Sequence, residues 1–555
     1  MTSAQTDRFV HDRLPPPEQW PELRFDRPEL QWPEQVNLVE ALFDRAERAG
    51  HGARPFLRSE ARTLSYVQAR EEVNRIANAL TDGMGLVPGN RVLLRGGNSV
   101  AMALAWLATV QAGLVAVATM PLLRARELGT IIAKARPSAA LCDARLQDEL
   151  RTALQADSDH ASTPLLTFNG DATQAAPSLE ALAARHGAAV QPGRTVCATA
   201  GTDIALLAFT SGTTGSPKAA VHTHRDVLAA CETWPRHVLR AHPDDIVMGS
   251  PPLAFTFGLG GLLIFPMWAG ASVYFPSIAY TPEAMVHLIA RVGATICYTA
   301  PTFYRQMAAF AQQHGVGRLR LSVSAGEGLP DATRQLWKQA TGLEMLDGIG
   351  ATEMFHIFIS SPPDAVRRGA IGRVVPGYEA RVVDDEGRTL PPGQVGRLAV
   401  KGPTGCRYLD DARQAQYVRD GWNYPGDAFS QDADGYFFYQ ARTDDMIITA
   451  GYNVAGPEVE SALMQHPAVA ECGVVGRPDE DRGQIVLAYV VLKAGQAADA
   501  AQVKALQEHV KQTLAPYKYP REVVFVPQLP RTETGKLQRF ALRQLATASE
   551  KPNAT

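Results

Sequence analysis

The stretch Thr210-Ser211-Gly212-Thr213-Thr214-Gly215-Ser216-Pro217-Lys218 follows the apolar run Ala205-Leu206-Leu207-Ala208-Phe209, and its reading decides how the rest of the chain is understood. An apolar run of this length suits a buried strand, and the glycines and proline behind it predict a loop. Glycines let backbone N–H groups come close to an anion, hydroxyls add donors, and Lys218 adds a positive charge. Together these suit a polyphosphate. A Walker A loop carries glycine immediately before its lysine and Ser or Thr immediately after. Pro217 and Ala219 stand there instead, so the hydroxyl that would meet magnesium is missing and a P-loop NTPase is disfavoured.

Upstream of this loop the patterns alternate. Residues 14 to 36 repeat proline and tryptophan, which predicts an extended arm because each proline stops helix propagation. Helical spacing runs over Leu38 to Ala46 and Ser65 to Leu80, and a short strand starts at Arg91. Helix (Ala101 to Ala112), strand (Leu114 to Met120), helix (Glu127 to Ala135) and strand (Ala139 to Cys142) then follow as in a βαβ sheet. Residues 155 to 200 are polar and read as loop and edge structure.

Downstream, Thr223 to Asp226 has the hydroxyl-to-acid spacing of a helix start, with Val227 to Trp234 as the body. His222 and His224 lack a third ligand at metal spacing and read as solvated loop or capping residues. In Ser250 to Gly261, Phe255 and Phe257 alternate with small residues, as ordinary core does at a strand end. Val323 to Pro330 is a glycine turn behind a strand at Leu319 to Leu321. In Asp347 to Met354 the adjacent hydroxyl and carboxylate of Thr352 and Glu353 suit a phosphate oxygen and a magnesium ion, which prefers oxygen ligands. His356 has a donor and an acceptor to offer an aromatic ligand, although a lone histidine is more often structural. Residues 378 to 400 read as a β meander. Asp427 suits a ribose diol, with plain turn chemistry as the competing reading.

The totals bound the class. A chain of 555 residues points to about two to four structural units, and 46 % apolar with 20 % charged residues is ordinary globular composition. A net charge of -3 makes no case for nucleic acid or an anionic membrane. Cys142, Cys197, Cys231, Cys297, Cys406 and Cys472 are scattered without C-x-x-C spacing, so they read as buried thiols of a reducing compartment. The N-terminus shows no secretory h-region, and Leu259 to Phe275 is broken by Pro266 and glycines, so a cytoplasmic location is expected.

These motifs, in order and spacing from about residue 38 to residue 546, resemble those of the adenylate-forming enzymes, and most closely the benzoate and 2-aminobenzoate CoA ligases. The resemblance implies an α/β fold: a large N-terminal domain over 1–443, made of βαβ sheets plus a small β unit, and a mobile, smaller α+β C-terminal domain over 444–555 hinged at Asp444. It implies that Thr210, Ser211, Gly212, Thr213, Thr214, Gly215 and Lys218 hold phosphates, that Ala325, Gly326 and Glu327 border adenine, and that Gly348, Ile349 and Gly350 do likewise. Ile349 replaces a tyrosine that many members stack on adenine. Thr352 would contact the α-phosphate and Glu353 the metal; Asp427 and Arg442 would hold the ribose. Thr256, Phe257, Gly350, Phe355, His356 and Ile357 would line the acid pocket, Gly451 would face the pantetheine channel, and Lys536 would serve adenylation.

The implied reaction converts a benzoate-type acid, 2-aminobenzoate ahead of benzoate, to aryl-AMP and then to aryl-CoA, using ATP, Mg2+ and coenzyme A. The implied state is a monomer or homodimer. Two alternatives stay open: loading of the acid onto a carrier protein, and a catalytically silent nucleotide-binding protein.

Overall fold

The computed structural model describes residues 3–170, 177–190, 195–210, 217–278, 280–326, 328–449, 452–479, 482–514, 516–531 and 537–548. The chain forms two compact units, Met1–Ala380 with Val400–Asn423, and Arg381–Ala399 with Tyr424–Thr555.

In the first unit the order across one six-stranded sheet is Leu165–Phe168, Ala139–Asp143, Arg91–Arg95, Val115–Thr119, Ile204–Thr210 and Lys218–Thr223. All neighbours are parallel except the last pair, a hairpin whose register sets Thr210 opposite Lys218. Helices cover the sheet because its strands are apolar on both faces, as parallel strands require. Leu93, Val117, Ile132, Leu150 and Leu207 belong to one buried cluster. Residues 155 to 200 supply the edge strand Leu165–Phe168, as expected, and also a short helix, Leu179–Ala183.

A nine-stranded sheet carries the parallel run Ser272–Tyr274, Ile246–Gly249, Ile296–Thr299, Leu321–Ser324 and Met345–Gly350, with antiparallel strands Ile357–Ser360 and Arg373–Val374 beyond it. The strand expected at Leu319 to Leu321 begins only at Leu321, where the chain pairs with Ile296. Helices Pro282–Val292, Pro301–His314 and Asp331–Thr341 join these strands as crossovers, and Trp337 anchors their core with its indole N–H on Ser322 Oγ at 2.9 Å.

Helix starts follow the local signals. Ser65 and Thr223 both make capping boxes, with Gln68 and Asp226 reaching back. The N-terminal arm runs extended between short turns at Pro17–Gln19 and Pro28–Leu30, and Leu23 bridges Gly402 while Gln35 bridges Ala200. Gln5 is buried and exchanges bonds with the Ile204 backbone in both directions, at 2.7 and 3.0 Å. The segment before the arm thereby satisfies both backbone groups of Ile204 at the start of an interior strand.

The second unit holds the hairpin Asp427–Gln431 with Phe437–Arg442, and Gly396 pairs with Phe429 beside it. Its other sheet runs Tyr452–Ala455, Met446–Thr449, Gly483–Leu492, Val469–Asp479, with Glu522–Phe525 parallel to Gly483–Leu492. Helices Gly456–Leu463, Ala500–Thr513 and Arg539–Ala548 complete the expected α+β order. The division by packing groups residues 381–399 and 424–443 with the C-terminal segment.

Asn37 ties several of these pieces together. Its Oδ1 caps the Leu38–Arg48 helix by accepting from Val39 and Glu40, while its Nδ2 donates to the Gln111 and Cys197 carbonyls at 3.0 and 3.2 Å. Asn37→Ala removes a cap and strands buried carbonyls, so we expect about 2–3 kcal/mol of destabilisation, read as a lowered urea midpoint.

Candidate active site

Parallel register brings the strand ends level. Gly249 pairs with Tyr298, Thr299 with Ser324, and Ser324 with Asp347. The segments leaving Gly249, Ser324 and Gly350 therefore start at one edge of the sheet, its carboxyl edge, where α/β sheets bind ligands. Those segments carry Thr256 and Phe257, Ala325 and Gly326, and Thr352 and Glu353. Ala325 is buried; Gly326 has a φ of 89° and, among the described residues, nothing within 4 Å on its Cβ side. Gly348 and Ile349 pair with Ser360 and Ile359, leaving Ile349 half-buried.

The polar centre lies at the short turn Thr352–Met354. Thr352 offers its carbonyl to His222, whose Nε2–H donates at 2.7 Å from the Lys218–Thr223 strand. Glu353 is buried, and its Oε1 accepts from the Tyr408 hydroxyl at 2.5 Å; Tyr408 in turn accepts from Lys218 Nζ at 3.1 Å. Thus the lysine that closes the glycine-rich stretch and the carboxylate of the Thr-Glu turn are joined through one phenol. Tyr408 is itself pinned: its strand bridges Ala220, its N–H donates to Gln414 Oε1 at 2.9 Å, and neighbouring Arg407 forms a buried pair with Asp226. Burial first, then the Glu353 carboxylate, pushes the Tyr408 pKa far up, so the phenol stays protonated.

Aromatic side chains meet beside this centre. The His356 ring lies 4.6 Å from Phe265, 5.2 Å from Trp234 and 5.6 Å from Phe257, and Tyr298 stands against Phe257 at 5.7 Å. Phe257 belongs to a short helix, Thr256–Leu259, that widens into a π-helical stretch at Gly260–Ile264. Glycine is required there: a Cβ on Gly260 would sit 2.7 Å from His356 Cδ2, and one on Gly350 would sit 2.6 Å from the His356 carbonyl. Ile357 pairs with Gly350 across the same turn. Phe355 reverses the chain with a φ of 68°, a region that costs an L residue roughly 1–3 kcal/mol. His356 is 4 % exposed, and neither ring nitrogen meets a polar atom among the described residues at hydrogen-bonding geometry. Burial pushes its pKa down to about 3, the Phe257 backbone acting in the opposite direction.

In the second unit, Arg442 Nη1 donates to Asp427 Oδ1 at 3.3 Å and to the Pro425 carbonyl at 2.8 Å, so the two expected ribose ligands form one pair. Ser211, Gly212, Thr213, Thr214, Gly215, Glu327, Gly451 and Lys536 lie outside the described residues, and Asp444 is described only as part of the turn Thr443–Asp445. Of the solvated loop or capping roles expected for His222 and His224, the solvated one is corrected, while His224 does serve a helix start, that of Leu38–Arg48. Both are buried with pKa values pushed down to about 4 by desolvation, and His224 Nδ1 accepts from the Leu38 N–H at 3.0 Å. Tyr408, Trp234 and Tyr298 were not legible as site residues, since no glycine turn or acid pair flags them. Among the described residues no three metal-ligating side chains cluster. A single carboxylate suits a magnesium ion that keeps waters and takes phosphate oxygens, so Glu353 fits that ion as a partner and not as a cage.

Strand ends that open on a Thr-Glu turn beside an aromatic wall, at the carboxyl edge of a parallel run, are where an α/β enzyme binds its ligands. The family comparison agrees: residues 43–407 match the AMP-binding enzyme family and residues 458–536 match the AMP-binding enzyme C-terminal domain, so the chain belongs to the AMP-binding enzymes. It is similar to the benzoate–CoA ligase of Thauera aromatica, 34% identical over 531 residues covering 93% of this chain and 97% of that protein. It is also similar to the 3-hydroxybenzoate–CoA ligase of Aromatoleum sp. (strain CIB), 33% identical over 92% of this chain and 97% of that protein. Among solved structures, an anthranilate CoA ligase in complex with anthranoyl-AMP superposes with a TM-score of 0.85 at 34% identity, covering 94% of this chain and 99% of that one. No helix among the described residues is long and apolar enough to cross a membrane.

The buried histidine sets a pH dependence. His356 takes up a proton readily at its ordinary pKa of 6.5 only when unfolded, so its contribution is complete above pH 6.5 and is lost as pH falls towards about 3. Asp347, raised to about 7 by burial, acts in the opposite direction in wild type and variant alike. We expect His356→Phe to lose about 2 kcal/mol less stability than wild type between pH 7 and pH 5, measured by urea unfolding at each pH.

Proposed function

We propose that this protein is an ATP-dependent aryl-acid CoA ligase, AMP-forming, acting on a benzoate-type acid with 2-aminobenzoate favoured and benzoate next. The observation that carries the reading is His356: a neutral, buried imidazole with unmet donor and acceptor capacity, set in an aromatic wall three residues after Glu353. A flat ring stacks against such a wall, and an ortho amino group offers the hydrogen that an imidazole nitrogen accepts. The resemblance to benzoate, 3-hydroxybenzoate and anthranilate CoA ligases supports the same class of acid.

In the proposed reaction a carboxylate oxygen attacks the α-phosphorus of ATP and pyrophosphate leaves. The thiol of coenzyme A then attacks the aryl-AMP carbonyl, and AMP leaves. Two anions must approach in the first step, so cationic and N–H groups aimed at the phosphates matter most. We assign Thr352 to the α-phosphate, Lys218 with residues 211–215 to the phosphates, and Asp427 with Arg442 to the ribose. Magnesium, held by Glu353, would supply charge neutralisation on the triphosphate. We assign Lys536 to adenylation only and Gly451 to the thiol-bearing arm, with Asp444 as the hinge between the two half-reactions. Buried free thiols at Cys142, Cys197, Cys231, Cys297 and Cys406 support a cytoplasmic location.

A pyrophosphate-release panel over substituted benzoates tests the reading: the highest kcat/KM is expected with 2-aminobenzoate, then benzoate, and His356→Ala is expected to cut the ratio between them about tenfold. Absence of acid-dependent pyrophosphate, or release of phosphate in its place, would sink it. Lys536→Ala is expected to abolish aryl-AMP formation while still converting supplied aryl-AMP and CoA to thioester; Asp444→Pro is expected to do the reverse. Equal loss of both half-reactions in each variant counts against the assignment.

A further inference from the structure

The bond directions around Tyr408 follow from chemistry alone. A lysine ammonium can only donate, so the Lys218 contact at 3.1 Å places a hydrogen on the Tyr408 oxygen as acceptor. The phenol has one hydrogen, and the Glu353 oxygen at 2.5 Å is the acceptor that receives it. The ammonium stands 5.0 Å from the Tyr408 ring centroid, which puts it at the hydroxyl end of the ring. Tyr408 is 1 % exposed and cannot swing away: its backbone is paired to the Lys218–Thr223 strand on one side and to Gln414 on the other. The Thr352–Met354 turn is fixed as rigidly from below, since Thr404 Oγ1 donates to the Met354 carbonyl at 2.8 Å and His222 to that of Thr352.

We propose that Tyr408 is a positioning residue that holds Oε1 of Glu353, leaves Oε2 as the oxygen for the nucleotide's magnesium ion, and links that carboxylate to Lys218. The proposal deepens the ligase reading and rests on it. An ammonium behind the phenol strengthens its O–H as a donor, and this costs the carboxylate no charge because no proton is transferred. A carboxylate held at one oxygen has a single orientation to present. A free one must pay rotamer entropy each time an ion arrives. Among the described residues, Oε2 of Glu353 has no hydrogen-bond partner, which matches an oxygen kept for a ligand.

The test uses the full-length protein. Tyr408→Phe removes only the hydroxyl, and the magnesium concentration for half-maximal acid-dependent pyrophosphate release is expected to rise about tenfold, the size typical of outer-shell partners. Saturating magnesium should restore most of kcat. Tyr417→Phe, on the ring that packs edge-on to Tyr408 at 5.8 Å, is the control and should leave the magnesium requirement within twofold. In a Glu353→Gln background, Tyr408→Phe should add nothing further to the magnesium requirement, because the phenol acts through the carboxylate. A purely structural role would instead lower stability and kcat with the magnesium requirement unmoved, and that result overturns the proposal.

A second measurement needs no hydroxyl deletion. With 3-fluorotyrosine placed at position 408, the fluorine resonance should move on adding Mg·ATP and stay put on adding ATP with EDTA. Equal shifts, or none in either case, overturn the proposal even if Tyr408→Phe fails to fold. A wild-type enzyme without acid-dependent pyrophosphate release would overturn the ligase reading separately, and the fluorine titration would still decide whether Tyr408 senses the metal.

Discussion

Everything at the candidate site depends on parallel pairing. When Ile246–Gly249, Ile296–Thr299, Leu321–Ser324 and Met345–Gly350 run the same way, their register sets Gly249 beside Tyr298, Thr299 beside Ser324 and Ser324 beside Asp347, so the strands end within a few residues of one another. Crossover helices return the chain to the opposite edge, so every following segment leaves from the same side. A Thr-Glu turn and an aromatic helix, nearly a hundred residues apart in the chain, thereby become neighbours without any contact having to pull them together. An antiparallel arrangement of the same strands would send alternate segments to opposite edges.

The titratable groups at that edge are mostly neutral or paired. His222, His224 and His356 are buried and held neutral by desolvation, and Tyr408 is kept protonated. Charged groups sit in pairs: Asp226 with Arg407 at the helix after the Lys218–Thr223 strand, and Glu353 bonded through Tyr408 to Lys218. A dry wall with few free charges makes each remaining one count for more, because the local dielectric is low. The strained backbone at Phe355 belongs to the same design, since it lets His356 enter the wall directly after the turn that carries Glu353.

The N-terminal arm explains how a segment rich in proline can be part of the fold without regular structure. Its backbone cannot supply a sheet ladder, so it makes isolated bridges at Leu23 and Gln35 and side-chain bonds at Gln5. Those bonds close carbonyls at Gly113 and Ile204 that would otherwise be buried and unmet.

Local patterns carried much of this in the bare chain. Thr223 with Asp226 reads as a capping box because the bonds involved span three residues, and the Ile204–Thr210 strand reads from its apolar run for the same reason. The Lys218–Thr223 strand and the Thr352–Met354 turn stand out because glycines, hydroxyls and a carboxylate fall side by side around them in the chain. Other features are set by partners far away in the chain. Tyr408 lies 190 residues from Lys218 and 55 from Glu353, and His222 lies 130 from Thr352, so nothing in their own neighbourhoods distinguishes a relay or a buried donor from a surface side chain. Burial, protonation state and the packing of residues 381–399 with the C-terminal segment are likewise decided only when strands separated by long crossovers meet. The chain by itself determined which chemical groups were present and where its strands and helices begin; tertiary structure decided which of them face one another, because desolvation and hydrogen-bond direction exist only between groups already in contact.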